Sequence, residues 1–253
     1  MSDLSLRIIG PGPAYTRRRG RTSSCYLVRG GGSEVVLDMG HGSFASLGAV
    51  MDPRALDAIF ISHLHPDHHI DLVPMRHYLN YGCPQASTVP LHAPDGIRAR
   101  YDALNDEVGF LDALPGSPLV AGTTRVGGLV VEAKRVTHTD SSYGFRVSLA
   151  GRGGAGLVYS GDCGRAADLV ALLHPGDTLL SEAAWGANAS IEEVPHLTAA
   201  EAATAARDGG AARLILTHVL DESRPIAALN IARSIFPGPV ELARPGLEVD
   251  VPD

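Results

Sequence analysis

The run Ser62-His63-Leu64-His65-Pro66-Asp67-His68-His69 sets the tightest limit on what this chain can become. It packs four potential ligands, His63, His65, Asp67 and His68, into six residues directly after the apolar stretch Ala58 to Ile61. So dense a donor cluster has little use in packing. Imidazole nitrogen and carboxylate oxygen together suit zinc or a similar first-row ion in compact geometry. Side chains alternate along an extended chain, so His63 and His65 point the same way and can share one ion. Asp67 and His68 fall where the chain turns into a helix and can face a second ion. Any fold for this chain must therefore bring a strand end to an open edge and turn at once into a helix.

The remaining pattern supplies such a frame. Leu4 to Ile9 reads as a strand stopping at Gly10-Pro11-Gly12-Pro13, and Ser24 to Val28 with Glu34 to Leu37 reads as a hairpin across Gly30-Gly31-Gly32. After the strand Ala58 to Ile61, a helix is expected from about Asp71 to Tyr81 and another over Gly96 to Leu104. Strands are expected at Val89 to Ala93, Leu129 to Val136, Gly144 to Leu149 and Leu157 to Tyr159. Beyond Asp162 the pattern alternates: helix Ala166 to Leu173, strand Thr178 to Leu180, helix Thr198 to Arg207, strand Leu214 to Thr217 and helix Pro225 to Ile235. A hairpin from Val240 to Val251 is expected to close the chain. Thr198 and Glu201 form a capping box for the helix they open. No repeat of solenoid period and no linker rich in Pro, Ser or Gly divides residues 1–253, so one layered domain is expected.

Composition narrows the class. Hydrophobic residues at 45% and charged residues at 19% describe a compact chain able to bury a core. The net charge of −7 argues against an extended grip on nucleic acid. Three cysteines, Cys25, Cys83 and Cys163, are an odd count without a Cys-x-x-Cys pair, which fits a reducing compartment rather than a disulfide framework. The N-terminal residues carry neither a signal-peptide core nor a membrane span. A cytoplasmic protein without membrane association is the expectation.

Taken in order, the motifs resemble the metallo-β-lactamase superfamily over nearly the whole chain. Leu37-Asp38-Met39-Gly40 is similar to its first motif, Ser62 to His68 to its second, and Thr137-His138-Thr139 to its third. Ser160-Gly161-Asp162-Cys163 and Leu216-Thr217-His218 are similar to the fourth and fifth. The resemblance implies an α/β (α+β) fold, a four-layer αββα sandwich with its metals at one edge. It implies two Zn²⁺, with Mn²⁺ or Fe²⁺ as alternatives: His63, His65 and His138 on one, Asp67, His68 and His218 on the other, and Asp162 between them. Asp38 would support the ligands from behind. The implied activity is hydrolysis by metal-activated water, with Asp67 also orienting the water.

Finer resemblance points to the ribonuclease Z group and its smaller phosphodiesterase relatives. The opening Gly10-Pro11-Gly12, followed by Arg21-Thr22-Ser23-Ser24 and a strand, is similar to that group's start. Ser181-Glu182-Ala183 resembles its His-Glu-Ala-Thr motif and His196-Leu197-Thr198 its His-Ser-Thr motif, which implies catalytic places for Glu182 and His196. Two departures matter. Ser181 stands where the ribonuclease has histidine, and the stretch from His138 to Asp162 is too short to hold a tRNA-gripping arm beside its two strands. The expected partner is thus a small anionic phosphodiester, cyclic in the simplest case, with Arg21, Tyr143 and Trp185 lining its pocket. Arg17 to Arg21 form a basic run that is either a solvated loop or an anion contact. On the same metals the alternatives are a ribonuclease Z-type endonuclease or a lactone, thioester or β-lactam hydrolase, with a metal-binding module lacking turnover least favoured. Homodimers are common in the group. His41 and His69 are candidates to support ligands, while His77, His92 and His174 receive no role.

Overall fold

The computed structural model describes residues 4–18, 20–82, 85–191 and 193–251. Arg19 of the basic run and Cys83 lie outside them. Strands β1 (Leu4–Gly10), β2 (Cys25–Gly30) and β3 (Ser33–Leu37) form an antiparallel meander. The β2–β3 turn is Gly31-Gly32, both at positive φ, as a two-residue hairpin requires. Then follow α1 (Ser43–Gly48), β4 (Ala58–Phe60), α2 (Leu72–Tyr81), β5 (Leu91–His92) and α3 (Ile97–Asn105), with β4 parallel to β3 and β5 parallel to β4. A second meander comprises β6 (Gly122–Val126), β7 (Leu129–Arg135), β8 (Tyr143–Leu149) and β9 (Leu157–Tyr159). It continues through α4 (Ala166–Val170), β10 (Thr178–Glu182), α5 (Ala199–Asp208), β11 (Arg213–Thr217), α6 (Pro225–Ile235), β12 (Val240–Leu242) and β13 (Glu248–Asp250).

Alternation along the strands decides the layering. Leu6, Tyr26, Val35 and Phe60 of one sheet meet Val131, Phe145, Leu157 and Leu180 of the other in an inner core. Their neighbours in sequence face outward. Leu27, Val36 and Ile59 pack with Leu47 of α1, Met75 of α2 and Tyr101 of α3, while Val158, Leu179 and Leu214 pack with Leu169 of α4, Ala202 of α5 and Ala232 of α6. Two sheets, ordered β13-β1-β2-β3-β4-β5 and β12-β11-β10-β9-β8-β7-β6, thus lie between helices as an αββα sandwich. Each fully buried leucine-sized side chain adds about 1.5–3 kcal/mol to holding the layers together.

The closing hairpin does not form. β12 runs parallel to β11 at the edge of one sheet, and β13 runs antiparallel to β1 at the edge of the other. Val240 and Val249 look alike in sequence, yet they enter different cores. The turn residues Pro245-Gly246 signal a reversal without saying which sheet receives the chain. Two short elements were not foreseen: α1, whose cap Gly42 supplies no side-chain hydrogen bond, and β6, an edge strand of mostly exposed residues. No helix among the described residues is long and apolar enough to cross a membrane.

One edge of the sandwich collects the motifs. Asp38 follows β3, His63 follows β4, Asp162 follows β9, Glu182 ends β10 and His218 follows β11. His138 leaves β7 at the same edge, because β7 and β9 both flank β8 in antiparallel register.

Candidate metal centre

The chain leaves β4 through Ser62 and His63, and a 3₁₀ turn at Pro66–His68 then redirects it toward α2. This geometry gathers the side chains into two groups. In the first, His65 Nδ1 stands 3.0 Å from His63 Nε2 and 3.1 Å from His138 Nε2, and Asp162 Oδ2 lies 3.6 and 3.7 Å from His63 and His138. In the second, His68 Nε2 and His218 Nε2 lie 3.4 and 3.7 Å from Asp67 Oδ2. Asp162 touches both, with Oδ1 3.2 Å from His68 Nε2 and Oδ2 3.5 Å from His218 Nε2. Each group converges closely enough to hold a metal ion.

The donor atoms are free for that purpose because their neighbours occupy the opposite ring nitrogens. His138 Nδ1 donates to Pro195 O at 2.8 Å, and His68 Nδ1 donates to Asp38 Oδ2 at 2.7 Å, which leaves a lone pair on each Nε2. Ser24 Oγ lies 3.2 Å from His218 Nδ1. His68 Nε2 and Asp162 Oδ1 are buried without an aligned hydrogen bond. Buried polar atoms are seldom left unpaired, and a cation between these two would satisfy both. The residues fit the metals their family resemblance implies.

Protonation agrees. Burial lowers the pKa of His63, His65 and His138, with neighbouring imidazoles adding to it, so these rings are neutral, the form that ligates. Burial would raise Asp162, but His218 and His68 hold it ionised, well below the usual carboxylate range. Asp67 is likewise held at about 2 against burial, chiefly by His68. Burial opposes charge on His68 too, yet Asp162 and Asp38 push its pKa well up. The field that favours a proton there also favours a cation.

Beside these groups, His196 Nδ1 donates to Glu182 Oε1 at 2.8 Å. Burial would lower His196, but the Glu182 carboxylate raises it to about 9. Glu182 is fully buried and also accepts from the amides of Cys163, Leu197 and Ala184. It holds His196 and the loop, and its carboxylate converges with Asp162 and His196. Trp185 packs near His196 with ring centroids 6.3 Å apart.

The other expected substrate contacts fall differently. Tyr143 lies in the core between the sheets and donates its hydroxyl to Leu119 O, so it does not line a pocket. Arg17 and Arg18 pair with Glu222 and Asp221, at 3.1 and 2.9 Å. Arg21 lines a small cavity of about 40 Å³ with Arg18, Thr217 and Val219, flanking His218. His41 meets Ser23, and His69 meets Tyr101, neither partner being one of the donors. Three supporting groups escaped the motif reading: Ser24, Pro195 O and Tyr159, whose hydroxyl donates to Asp38. Ser24 lies in the segment Arg21-Thr22-Ser23-Ser24, and no local pattern marks it as a partner of His218.

Comparison with known proteins agrees with this geometry. Residues 36–219 match the family described as a beta-lactamase superfamily domain. The probable metallo-hydrolase YhfI of Bacillus subtilis is 24% identical over 229 residues, covering 88% of this chain and 91% of that protein. Ribonuclease Z of Myxococcus xanthus is 26% identical over 311 residues, covering 100% of this chain and 99% of that protein. The crystal structure of the metallo-beta-lactamase fold protein YhfI from Bacillus subtilis superposes with a TM-score of 0.85 at 21% identity, covering 97% of this chain and 99% of that one. A match running from β3 to just beyond His218, on a sandwich of the same fold, establishes that this chain belongs to the beta-lactamase superfamily as a metallo-hydrolase with ribonuclease Z-like relatives.

Proposed function

We propose that this metallo-hydrolase is a dinuclear phosphodiesterase acting on a small, cyclic phosphodiester. The observation that carries the reading is Asp162, whose two oxygens face both donor groups, with a raised-pKa histidine beside them. In this reading His63, His65 and His138 would hold one ion and Asp67, His68 and His218 the other, with Asp162 between the two groups. Zn²⁺ suits the nitrogen-rich donor set, and Mn²⁺ or Fe²⁺ is compatible with it. Two such ions, when bound, supply Lewis acidity and bring water into a pKa range where it is deprotonated near neutral pH.

The chain's own groups do the rest. Asp67, ionised beside His68 and His218, accepts a hydrogen bond from the attacking water and aims it at phosphorus. His196 has Nδ1 committed to Glu182, whose carboxylate favours a proton on the ring, and its Nε2 is the atom left to meet a phosphoryl or leaving oxygen. Glu182 positions it.

Two observations support a small substrate. Between β7 and Asp162 the chain has room only for β8, β9 and their turns, so no arm reaches out there to clasp tRNA. The net charge of −7 also opposes a long nucleic-acid contact. A ribonuclease Z-type endonuclease is the second reading, favoured by the full-length likeness to the Myxococcus xanthus protein of that name.

The test is a substrate panel with Zn²⁺ or Mn²⁺: bis-p-nitrophenyl phosphate, cyclic nucleotides, precursor tRNA, a lactone and a thioester. Cyclic or model phosphodiesters are expected to turn over, and Asp67→Ala is expected to lower kcat by about 10²–10⁴-fold. Turnover of lactone or thioester alone would overturn the substrate class, preferential cleavage of precursor tRNA would favour the second reading, and full activity in metal-loaded Asp67→Ala would overturn the site.

A further inference from the structure

Gly164 leads the chain from Asp162 toward α4 and meets the loop that carries Pro195 and His196. A Cβ built on Gly164 would stand 2.4 Å from Pro195 Cβ, 2.9 Å from its Cα and 3.0 Å from its carbonyl carbon. None of these atoms ends a flexible side chain, and a proline ring cannot turn aside. From the other side the Gly164 amide donates to Thr137 O at 2.6 Å, immediately before His138 in sequence. Gly164 is therefore held between the peptide that delivers His138 and the peptide that orients it.

Pro195 has two tasks. Its carbonyl accepts from His138 Nδ1 at 2.8 Å, and its chain continues directly into His196, whose Nδ1 reaches Glu182 at 2.8 Å. The His138 and His196 rings stand 4.7 Å apart. A single dipeptide thus sets the tautomer and direction of one donor of the metal centre and the place of the protonated histidine.

We infer that Gly164 is a positioning residue of this centre: the side chain it lacks lets Pro195-His196 seat closely enough to orient His138 and His196 together. The inference rests on the metal-centre reading above. Gly164 is not among the glycines at positive φ, so its backbone accepts alanine and the added methyl acts through Pro195. Restoring ordinary contact takes a shift of about 1 Å. A 2.8 Å hydrogen bond does not survive such a shift in an arbitrary direction. His138 then loses the acceptor that fixes its tautomer, and His196 loses its hold on Glu182.

The experiment compares the full chain as wild type, Gly164→Ala, Pro195→Gly and the double variant. Zn²⁺ affinity is read by chelator competition, and the His138 tautomer by ¹⁵N imidazole NMR of the metal-free protein. Gly164→Ala is expected to weaken Zn²⁺ binding by about 10–100-fold and to mix the His138 tautomers. Pro195→Gly keeps the carbonyl but frees the loop, so it is measured alone as the reference for the double variant, with a smaller loss than that of Gly164→Ala expected. In the double variant the 2.4 Å contact is gone while those at 2.9 and 3.0 Å to the backbone of residue 195 stay, so the affinity is expected to recover in part. Wild-type affinity and tautomer in folded Gly164→Ala would overturn the inference, as would a loss that Pro195→Gly does not relieve. Should Gly164→Ala fail to fold, recovery of the fold with part of the affinity in the double variant supports the inference, and a double variant that stays unfolded overturns it. A wild-type protein that binds no Zn²⁺ removes the metal reading instead, and the tautomer measurement then decides this point alone.

Discussion

Asp38 accepts from Ser62 N at 2.6 Å, Ser62 Oγ at 2.8 Å, His68 Nδ1 at 2.7 Å and Tyr159 Oη at 2.6 Å while fully buried. It does so at φ 61, a conformation aspartate enters more readily than most side chains. His218 stands at φ 55, so two of the four non-glycine residues in that region, among those described, belong to this site. Such strain is tolerated where surrounding bonds enforce it. Asp38→Asn replaces one acceptor oxygen with a donor and removes the charge facing His68. It is expected to lower metal affinity by about 10–100-fold without loss of fold, as read by chelator competition and circular dichroism. An unchanged affinity would show that Asp38 serves only the core. At this scale the motif residues were legible, because density and order of donors have few other uses. Tyr159 was not: in the apolar strand Leu157–Tyr159 it reads as core packing, which it also provides. Tyr143 is the reverse case, since alternation in a strand tells that a side chain faces one side without telling which side meets the other sheet. Gly40 belongs with the motif for a steric reason: a Cβ there would lie 1.9 Å from Asp67 O.

Among the elements, α5 was the most readable. Thr198 Oγ1 accepts from Glu201 N at 3.2 Å, and Glu201 Oε2 accepts from Thr198 N at 2.8 Å, the reciprocal pair the spacing suggested. Thr198→Ala is expected to cost about 1 kcal/mol, seen as a lower urea midpoint at constant m-value. The buried pair Arg146–Asp177 left no comparable signature. Arg146 Nε and Nη2 donate to Asp177 at 2.8 and 2.9 Å, and the same carboxylate accepts from Gly156 N and His174 N. It pins β8 to the turn before β10 across residues far apart in sequence, which no local pattern records. Asp177→Ala strands the guanidinium and is expected to cost about 3–5 kcal/mol in the same denaturation series. A smaller loss than Thr198→Ala would mean that water reaches Arg146 and replaces its partner. The short elements were illegible for a physical reason: α1 is held by Asp71, whose carboxylate accepts from Phe44 N across the fold, and β6 by pairing with β7.

For the whole molecule, the two donor groups draw on both sheets: His63, Asp67 and His68 come from one, His138, Asp162 and His218 from the other. Bound ions would therefore clamp the sandwich as well as serve chemistry. Adding Zn²⁺ or Mn²⁺ at about 100 times its Kd to chelator-stripped protein is expected to raise Tm by roughly 5–10 °C. The gain is expected to shrink as pH falls: protons compete for His68, whose pKa is raised, already above the free imidazole range, and for His63, His65 and His138, whose pKa values are lowered, only below it. Differential scanning calorimetry decides it, and a Tm indifferent to metal would refute the clamp. The layered fold was legible from strand alternation and helix order; the destination of the C-terminal strands was not, because neither the pairing of β12 with β11 across a helix nor that of β13 with distant β1 carries a short-range signal. That pairing governs the nascent chain. β1 leaves the ribosome well before its outer partner β13, and β12 and β13 then complete the edges of opposite sheets. Until residue 250 is synthesised, the amide row of β1 is open to pairing with another copy. Order of synthesis and order of assembly thus run against each other, and folding of such high contact order is slow, making this interval the one in which a chaperone has most to protect.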